Sequence, residues 1–381
     1  MAWGDWDLVS FDGALHVLPR EGSVNHQDAS YTFFMKYDAD SRTWSRAAFP
    51  LDQMAEQGIR AVTSVSGTVY RGALVVQVTG TDAEPGEKGE PFGSYWRYNT
   101  DGTWDYLPIE LPEGQSLMLS AMATDGEHLY AFGGWGYFDE APLPSLSIVQ
   151  GTLGSIVKID IDAGTATIAG LLPTRRANAH AAYRDGVFLV SGGQNDGAQG
   201  GSAAGVDCVT PLAHDEERPS DYPGVIVPYP AGWLEGATVD ATQVVTETGK
   251  TAYAVAACGS GFMLVGPRSD SGQTDTYTLE AEAGAVPRAT GLNVTHLALL
   301  NPAATVHDGM LYVLAATTSE PYRVFAATPV DDLWEPGSSD GHLAQTGDAS
   351  MTYVIVLGAL GCVSLAAGRA LRTLRATRSS K

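Results

Sequence analysis

The residues of this chain that could perform chemistry are scattered along it. Its eight histidines lie far apart, and none forms the closely spaced pair with a third ligand that zinc sites use. Cys258-Gly259-Ser260-Gly261 contains part of a nucleophile-elbow pattern, but its composition is that of a hairpin turn. The acidic runs Asp139-Glu140 and Asp215–Glu217 are typical of solvated loops. We therefore expect no catalytic residue, no metal and no cofactor.

Aromatic side chains in long loops are better candidates for a binding role. An aromatic ring with a polar tip suits sugars and peptides. Loops after residue 134 and after residue 193 contribute the candidates Trp135, Tyr137, Phe138, Tyr229 and Trp233. Packing of these rings against their own loops is the alternative. Arg176, like Arg60 and Arg288, precedes the first strand of a sequence unit and is a candidate for an anionic ligand or for bridging between units.

An internal repeat organises the elements that must position these residues. A short apolar strand, a turn with glycine and a second apolar strand recur six times, at intervals of 48 to 75 residues. Asp-Gly between apolar runs predicts a hairpin, because the tight turn needs positive φ, which glycine adopts without strain. The turns are Asp12-Gly13, Arg71-Gly72, Asp125-Gly126, Asp185-Gly186, Ser260-Gly261 and Asp308-Gly309.

A second pair of strands follows in each unit, as in Tyr31–Tyr37 and the strand that Trp44 begins. Glycine and proline interrupt nearly every window, so we predict no extended helix before residue 335. The predicted fold class is all-β, a β-propeller of about six four-stranded blades. Its last strand is only loosely indicated, around Asp331–Trp334, and a seventh blade upstream of Met1 stays open.

The repeat resembles the kelch family. Residues 172–193 match best, from Leu172-Pro173-Thr174-Arg175 to the Gly192-Gly193 doublet, and Gly133-Gly134 is a second doublet. The pairs Tyr37/Trp44 and Tyr98/Trp104 are similar to the aromatic pair of the motif, whereas Gly266-Pro267 and Ala315-Ala316 depart from the doublet. The resemblance implies a propeller and hardly constrains function. We expect the doublets and tryptophans to be packing residues.

Residues 343–381 have the layout of a membrane-directed tail. Leu343, Ala344, Gln345, Thr346 and Gly347 precede an uncharged apolar run of 18 residues, 351–368, and residues 369–381 contain five basic residues and no acidic one. Such a run is close to the minimum for a transmembrane helix, since about 30 Å of hydrocarbon must be crossed at about 1.5 Å per residue. The basic tail is expected to stay in the cytoplasm, so the residues before the apolar run are expected to be exported.

This tail resembles the sorting signal of sortase substrates in Gram-positive bacteria, with Leu343–Gly347 in the place of the Leu-Pro-x-Thr-Gly pentapeptide. Ala344 replaces the proline, a form similar to that common in actinobacteria. The resemblance implies that sortase cuts between Thr346 and Gly347 and joins Thr346 to peptidoglycan. An ordinary C-terminal membrane anchor is the alternative. The predicted organisation is a propeller in 1–335, a linker in 336–342 and the sorting signal in 343–381.

Composition agrees with an exported protein. The formal charge of −22 argues against a nucleic-acid partner, because phosphates would be repelled. Cys208 and Cys258 either form a disulfide or are two small buried residues. Residues 1–30 contain no basic start followed by an apolar core, so we expect a signal peptide further upstream.

Three functional classes remain after this survey. The first is a wall-displayed, nonenzymatic protein that binds a glycan or a protein through long loops on one face. The second is an exported carbohydrate-active enzyme, for which some kelch propellers resembling sialic acid mutarotases are the precedent. That reading requires an arginine and a carboxylate that converge at one mouth, with Arg176 and Asp215 or Glu216 as candidates. The third is a structural spacer or sensor ectodomain.

Overall fold

A computed structural model describes most of the body of the chain. The described residues are 4–21, 30–83, 91–112, 118–138, 149–172, 175–195, 201–202, 206–210, 240–244, 254–267, 274–281, 288–290, 299–317, 323–330 and 355–356.

Residues 4–107 form two antiparallel sheets of four strands. The strands of the first sheet are β1 (Gly4–Phe11), β2 (Ala14–Glu21), β3 (Phe33–Asp38) and β4 (Thr43–Ala48). A short helix, α1 (Leu51–Glu56), leads into the second sheet. Its strands are β5 (Ala61–Tyr70), β6 (Ala73–Thr81), β7 (Pro91–Tyr98) and β8 (Trp104–Leu107). In both sheets spatial order equals chain order, as in a propeller blade.

The third and fourth sheets each carry an extra hairpin. The third contains β9 (Ala121–Thr124), β10 (Leu129–Phe132), β13 (Ser155–Asp160) and β14 (Thr165–Leu171), and its hairpin pairs β11 (Trp135–Phe138) with β12 (Val149–Thr152). The fourth contains β15 (His180–Arg184), β16 (Val187–Ser191), β19 (Val206–Thr210) and β20 (Asp240–Val244), and its hairpin pairs β17 (Gln194–Asn195) with β18 (Gly201–Ser202). Each hairpin lies between the second and third strands of its sheet.

Two further sheets follow. The fifth contains β21 (Ala254–Cys258), β22 (Gly261–Pro267), β23 (Thr274–Glu280) and β24 (Arg288–Ala289). The sixth contains β25 (Leu299–His307), β26 (Met310–Thr317), β27 (Arg323–Pro329) and β28 (Ile355–Val356). Arg288 therefore lies in the fourth strand of its sheet, and not before a first strand as predicted.

The first strands of the sheets form a closed ring. In this ring β1 contacts β5, β5 contacts β9, β9 contacts β15, β15 contacts β21, β21 contacts β25, and β25 returns to β1. Apolar clusters fill the space between each pair of neighbouring sheets. This arrangement defines an all-β propeller and confirms the predicted fold class.

The blades differ in how they are completed. Five are built from local strands within residues 4–289. The remaining sheet takes only three strands from residues 299–329, and its fourth strand, β28, comes from far along the chain. The structure therefore has five such blades, where the sequence predicted about six four-stranded blades. The fourth strand predicted near Asp331–Trp334 lies outside the described residues.

The position of β28 departs from the predicted transmembrane helix over 351–368. Its two residues pair with β27, Ile355 opposite Phe325 and Val356 opposite Val324. Extended backbone suits these residues, since β-branched side chains favour strands and the edge of β27 offers unpaired backbone groups. Within the described ranges no helix has the length and apolar character needed to cross a membrane.

The hairpin turns confirm the role of positive φ. Asp12 and Gly13 have φ of 49° and 69°, and Asp185 and Gly186 have φ of 47° and 88°. One predicted turn is shifted by a residue, because Gly261 pairs with Cys258 and the turn is Gly259-Ser260. A Cβ on Gly261 would lie 2.1 Å from the carbonyl oxygen of Leu279, so glycine there permits close strand packing and does not make the turn.

Aromatic pairs hold neighbouring blades together, as predicted. The ring centroids of Tyr37 and Trp44 are 4.8 Å apart, and those of Tyr98 and Trp104 are 4.9 Å apart. The former pair joins the first blade to Phe325 of the sixth sheet, which lies 4.9 Å from Tyr37. Offset and tilted pairs of this kind contribute about 0.5–1.5 kcal/mol beyond their burial.

Cys258 is a buried thiol in the cluster between the fifth and sixth sheets. Cys208 lies in β19 of the fourth sheet, and its side chain is outside the described residues. Burial of Cys258 is thus observed, and a disulfide with Cys208 stays a prediction.

His16 is an unusual member of the core between the first two blades. It is fully buried among Phe11, Phe34 and Tyr98, and neither ring nitrogen forms a hydrogen bond within the described residues. Burial, and secondarily the positive charge of Lys36, lowers the pKa of His16 to about 4. The folded protein thus holds His16 as a neutral imidazole.

We predict that His16 makes the fold sensitive to acid. Between its ordinary pKa of 6.5 and about 4, the unfolded chain binds a proton that the folded chain does not. This stabilising contribution is full above pH 6.5, falls as the pH drops towards 4, and amounts to about 3 kcal/mol. Urea unfolding at pH 7.5 and pH 5 should show a smaller loss of stability for His16→Phe than for the parent. Equal losses would contradict this assignment.

Candidate functional site

Polar side chains meet at the centre of the ring. Asp7 lies on β1 and His180 is the first residue of β15, and these two strands are not neighbours in the ring. Even so, His180 Nδ1 lies 3.7 Å from Asp7 Oδ1. Because β1 and β15 lie on different sides of the ring, this contact crosses the central channel. The side chains of His180 and Asp7 are 11% and 17% exposed, so the contact nearly excludes water.

The carboxylate of Asp7 is held by backbone donors. The amide of Gly67 on β5 donates to Oδ2 at 3.0 Å, and the amide of Leu8 donates to Oδ1 at 3.2 Å. Glycine is required at position 67, because a Cβ there would lie 2.9 Å from side-chain atoms of Leu18 and Val76. Close approach of the strands thus brings a donor, the Gly67 amide, to the carboxylate of Asp7.

Arg20 adds a second connection across the ring. Its guanidinium is fully buried, and Nη1 donates to the carbonyl oxygen of Ala179 at 2.7 Å, immediately before His180. Asp7, Arg20, His180 and the amide of Gly67 are called the axial cluster below. Burial alone would raise the pKa of Asp7, but His180, the charge of Arg20 and the Gly67 amide together hold that pKa below its usual value. The cluster therefore contains an ionised carboxylate.

A polar network continues from the axial cluster between the second and third blades. Ser66 Oγ donates to the carbonyl oxygen of Ser120 at 2.8 Å, and the amide of Leu119 donates to Thr79 Oγ1 at 3.2 Å. Tyr95 is buried beside Ser120, and burial raises the pKa of its hydroxyl. The Ser66–Ser120 and Leu119–Thr79 bonds join the two blades, whereas the Tyr95 hydroxyl has no hydrogen-bond partner among the described residues.

Ser191 completes a set of residue types known from hydrolases. It lies directly opposite His180 in the ladder between β15 and β16. However, Ser191 is fully buried and its Oγ forms no hydrogen bond in the described part of the chain. A serine nucleophile must be accessible and hydrogen-bonded to its base, and Ser191 meets neither requirement.

Arg176 does not face an external anion. Its side chain is fully buried, and Nη1 donates to the carbonyl oxygen of Gly192 at 3.0 Å. Its backbone is held as well, since the Arg176 amide donates to Leu153 and its carbonyl oxygen accepts from Gly134 at 2.6 Å. Arg176 therefore bridges the third and fourth blades, which is the alternative that the sequence left open.

The glycine doublets permit this bridging. A Cβ on Gly133 would lie 2.2 Å from the carbonyl oxygen of Arg176, and one on Gly193 would lie 2.4 Å from that of Ala177. Both glycines also have positive φ, 64° and 82°. At Gly133 the chain entering the fourth blade crosses the end of β10 in the third blade, whereas at Gly193 it crosses the end of β16 in the fourth blade itself.

The aromatic candidates lie in different places. Trp135 is half-buried and packs against Met118, Leu119 and Ala177. Tyr137 and Phe138 lie on β11 with backbones opposite Gln150 and Val149, and their side chains are outside the described residues. Trp135 therefore anchors the base of the hairpin. Only the hairpin backbone is placed for the other two.

The remaining candidates fall outside the described residues. These are Tyr229, Trp233, Asp215, Glu216 and the pentapeptide Leu343, Ala344, Gln345, Thr346 and Gly347. Tyr229 and Trp233 belong to the stretch between β19 and β20. That stretch joins a third strand to a fourth, and not a second strand to a third as predicted, because β19 begins already at Val206.

An arginine and a carboxylate do converge in this fold, but they are Arg20 and Asp7, which sequence reasoning missed. The available signal was a carboxylate, Asp7, within the mostly apolar strand Trp6–Phe11. No pattern in one strand indicates a partner 173 residues away, at His180. Among the described residues no group of three or more His, Cys, Asp or Glu side chains could hold a metal ion.

No protein-family model matches this chain, and no curated protein matches it significantly. The class of protein is therefore defined by architecture. The chain is a β-propeller of small antiparallel sheets whose channel is crossed by a buried Asp–His–Arg cluster.

We predict that the axial cluster stabilises the ring. Asp7→Asn removes the carboxylate whose pKa the charge of Arg20 lowers, while keeping the size of the side chain. Loss of one partner of a buried charge pair costs about 3 kcal/mol or more, and this loss should appear as a lower urea midpoint at pH 7. Asp162→Asn is the matched control, because Asp162 pairs with Arg71 at the surface, with side chains 75% and 51% exposed. An unchanged midpoint for Asp7→Asn would refute the structural role.

Proposed function

We propose that this chain is a kelch-type propeller displayed on the wall of a Gram-positive, actinobacterial cell, where it binds a glycan or a protein without catalysing a reaction. Binding is assigned to the end of the propeller that carries the connections from second to third strands and from blade to blade. Antiparallel alternation places α1 and the β11–β12 and β17–β18 hairpins at this same end. Loops on a rigid scaffold are where binding residues concentrate.

The observation that carries the binding proposal is the β11–β12 hairpin. It forms a sheet separate from the third blade, with four paired positions from Trp135–Thr152 to Phe138–Val149. Trp135 fixes its base through Met118 and Leu119. The axial cluster occupies the channel, so the rim offers a ligand more accessible surface than the interior does.

A binding assay tests this proposal directly. The full chain is applied to a glycan array and to a panel of matrix proteins, beside Tyr137→Ala and Phe138→Ala. Saturable binding should fall at least about tenfold in either variant, as loss of one aromatic contact at a binding hot spot predicts. Tyr106→Ala is the control, since Tyr106 is 40% exposed on the outer strand β8 of another blade. Absence of binding by the folded parent, or equal loss in Tyr106→Ala, would refute the assignment.

Anchoring to the wall rests on Leu343–Gly347, the apolar run and the basic tail. In the proposed pathway sortase is the processing partner, and peptidoglycan receives Thr346 covalently. We predict that Thr346→Ala shifts the protein from a muramidase-released wall fraction to the membrane fraction of an expressing actinobacterium. The control Thr352→Ala lies outside the pentapeptide and should leave the protein in the wall. Wall linkage that survives Thr346→Ala would overturn the sortase assignment, and the membrane-anchor alternative would replace it.

A second candidate is a carbohydrate-active enzyme of the mutarotase type. The observation in its favour is the convergence of Asp7, Arg20 and His180 in the channel. Proton transfer at a sugar anomeric centre requires an acid and a base of this kind. Exchange of sialic acid anomers, followed by proton NMR, should then be accelerated by the parent and not by His180→Gln. Equal rates with and without the parent protein would exclude this candidate.

A further inference from the structure

The fourth strand of the sixth sheet has an unusual origin. In the first three blades the fourth strand begins soon after the third ends, as between Asp38 and Thr43 in the first blade. In the sixth sheet β27 ends at Pro329, and β28 begins only at Ile355. The intervening chain includes the pentapeptide Leu343–Gly347. The strand that completes this sheet therefore lies on the far side of the proposed cleavage bond.

The edge that β28 covers belongs to the junction at which the ring closes. Phe325 of β27 is buried, and its ring lies 4.9 Å from that of Tyr37 and 5.2 Å from that of Trp44 in the first blade. Ile355 pairs with this same residue. An uncovered strand edge presents unpaired N–H and C=O groups, so β28 satisfies backbone groups next to the closing contact.

Ile355–Val356 also belongs to the uncharged run 351–368. A segment inside a membrane must satisfy its backbone within its own helix, whereas β28 shares its backbone hydrogen bonds with β27. The same residues cannot do both at once. Pairing with the blade and insertion into a bilayer are therefore mutually exclusive states of one segment.

We propose that the outer edge of β27 is a strand-docking site whose occupant is Ile355–Val356 of the same chain, and that this occupant leaves when the apolar run enters a membrane. The part of the inference that concerns cleavage rests on the proposed function, since a cut between Thr346 and Gly347 would separate β28 from the propeller. Docking pairs Ile355–Val356 with β27 before insertion, and departure opens the edge of the sixth sheet. The sixth sheet thus has four strands before the apolar run enters a membrane and three strands afterwards.

Hydrogen–deuterium exchange of the full chain tests docking. The chain is kept in buffer without detergent or lipid, and exchange is followed in peptides that cover residues 323–326. Val356→Pro removes a backbone donor and cannot continue a paired strand, so exchange there should become about tenfold faster. Val363→Pro is the matched control, because it breaks a helix in the same run without touching β28. Amides of the central strand β26 report whether each variant remains folded.

A membrane arm tests the exclusive states. The parent chain is reconstituted into vesicles of phosphatidylglycerol and phosphatidylethanolamine, and residues 323–326 should exchange faster than in lipid-free buffer. Equal exchange of the parent and Val356→Pro in lipid-free buffer would overturn docking. Full protection in vesicles, with the run inserted, would overturn the exclusivity. Neither measurement involves sortase or a surface ligand, so their failure is separable from failure of wall anchoring in Thr346→Ala or of binding in Tyr137→Ala.

Discussion

Closure of the ring is the constraint on which the rest of this structure depends. Each sheet is apolar on both faces, and a four-stranded sheet can bury both only if it has a neighbour on each side. The last neighbour pair is the sixth sheet and the first blade, joined by Phe325, Tyr37 and Trp44. With closure, six apolar clusters form between adjacent sheets and the inner strands approach one another. Without it, two apolar faces would be exposed to water, at about 25 cal/mol for each Å².

Closure also explains the polar centre. The inner strands converge on the channel, and here Asp7 and His180 meet across it. Glycine at position 67 and the glycine doublets admit backbone where any Cβ would collide. The charges of Asp7 and Arg20 are tolerated because backbone groups and opposite charge satisfy them. The centre of this propeller therefore resembles a buried ion-pair network more than an open catalytic cleft, which directs the search for ligands to the rim.

Fold and site differ in how far one sequence can predict them. Turns such as Asp12-Gly13 and aromatic pairs such as Tyr37 and Trp44 are local signals, and the structure confirms them. The turn predicted at Ser260-Gly261 was wrong by one residue, since the turn is Gly259-Ser260. Gly261 permits sheet packing, and the sequence does not distinguish such a glycine from a turn glycine. Arg176 was a candidate for an anionic ligand or for bridging between units, and its side chain and backbone contact Gly192 of the fourth blade and Gly134 of the third. Side-chain direction at such junctions is a property of two elements, and one of them is distant in sequence.

By itself the sequence determined the class of fold, the positions of the hairpins and the packing roles of the doublets, because alternation of apolar residues and the φ of glycine are local properties. Only the tertiary structure decided which polar residues meet. Asp7, Arg20 and His180 are far apart along the chain and come together because the ring brings opposite inner strands into contact. The tertiary structure also decided that Ile355–Val356 pairs as a strand. The edge of β27 provides the hydrogen bonds for this pairing, and the sequence of the apolar run does not indicate them.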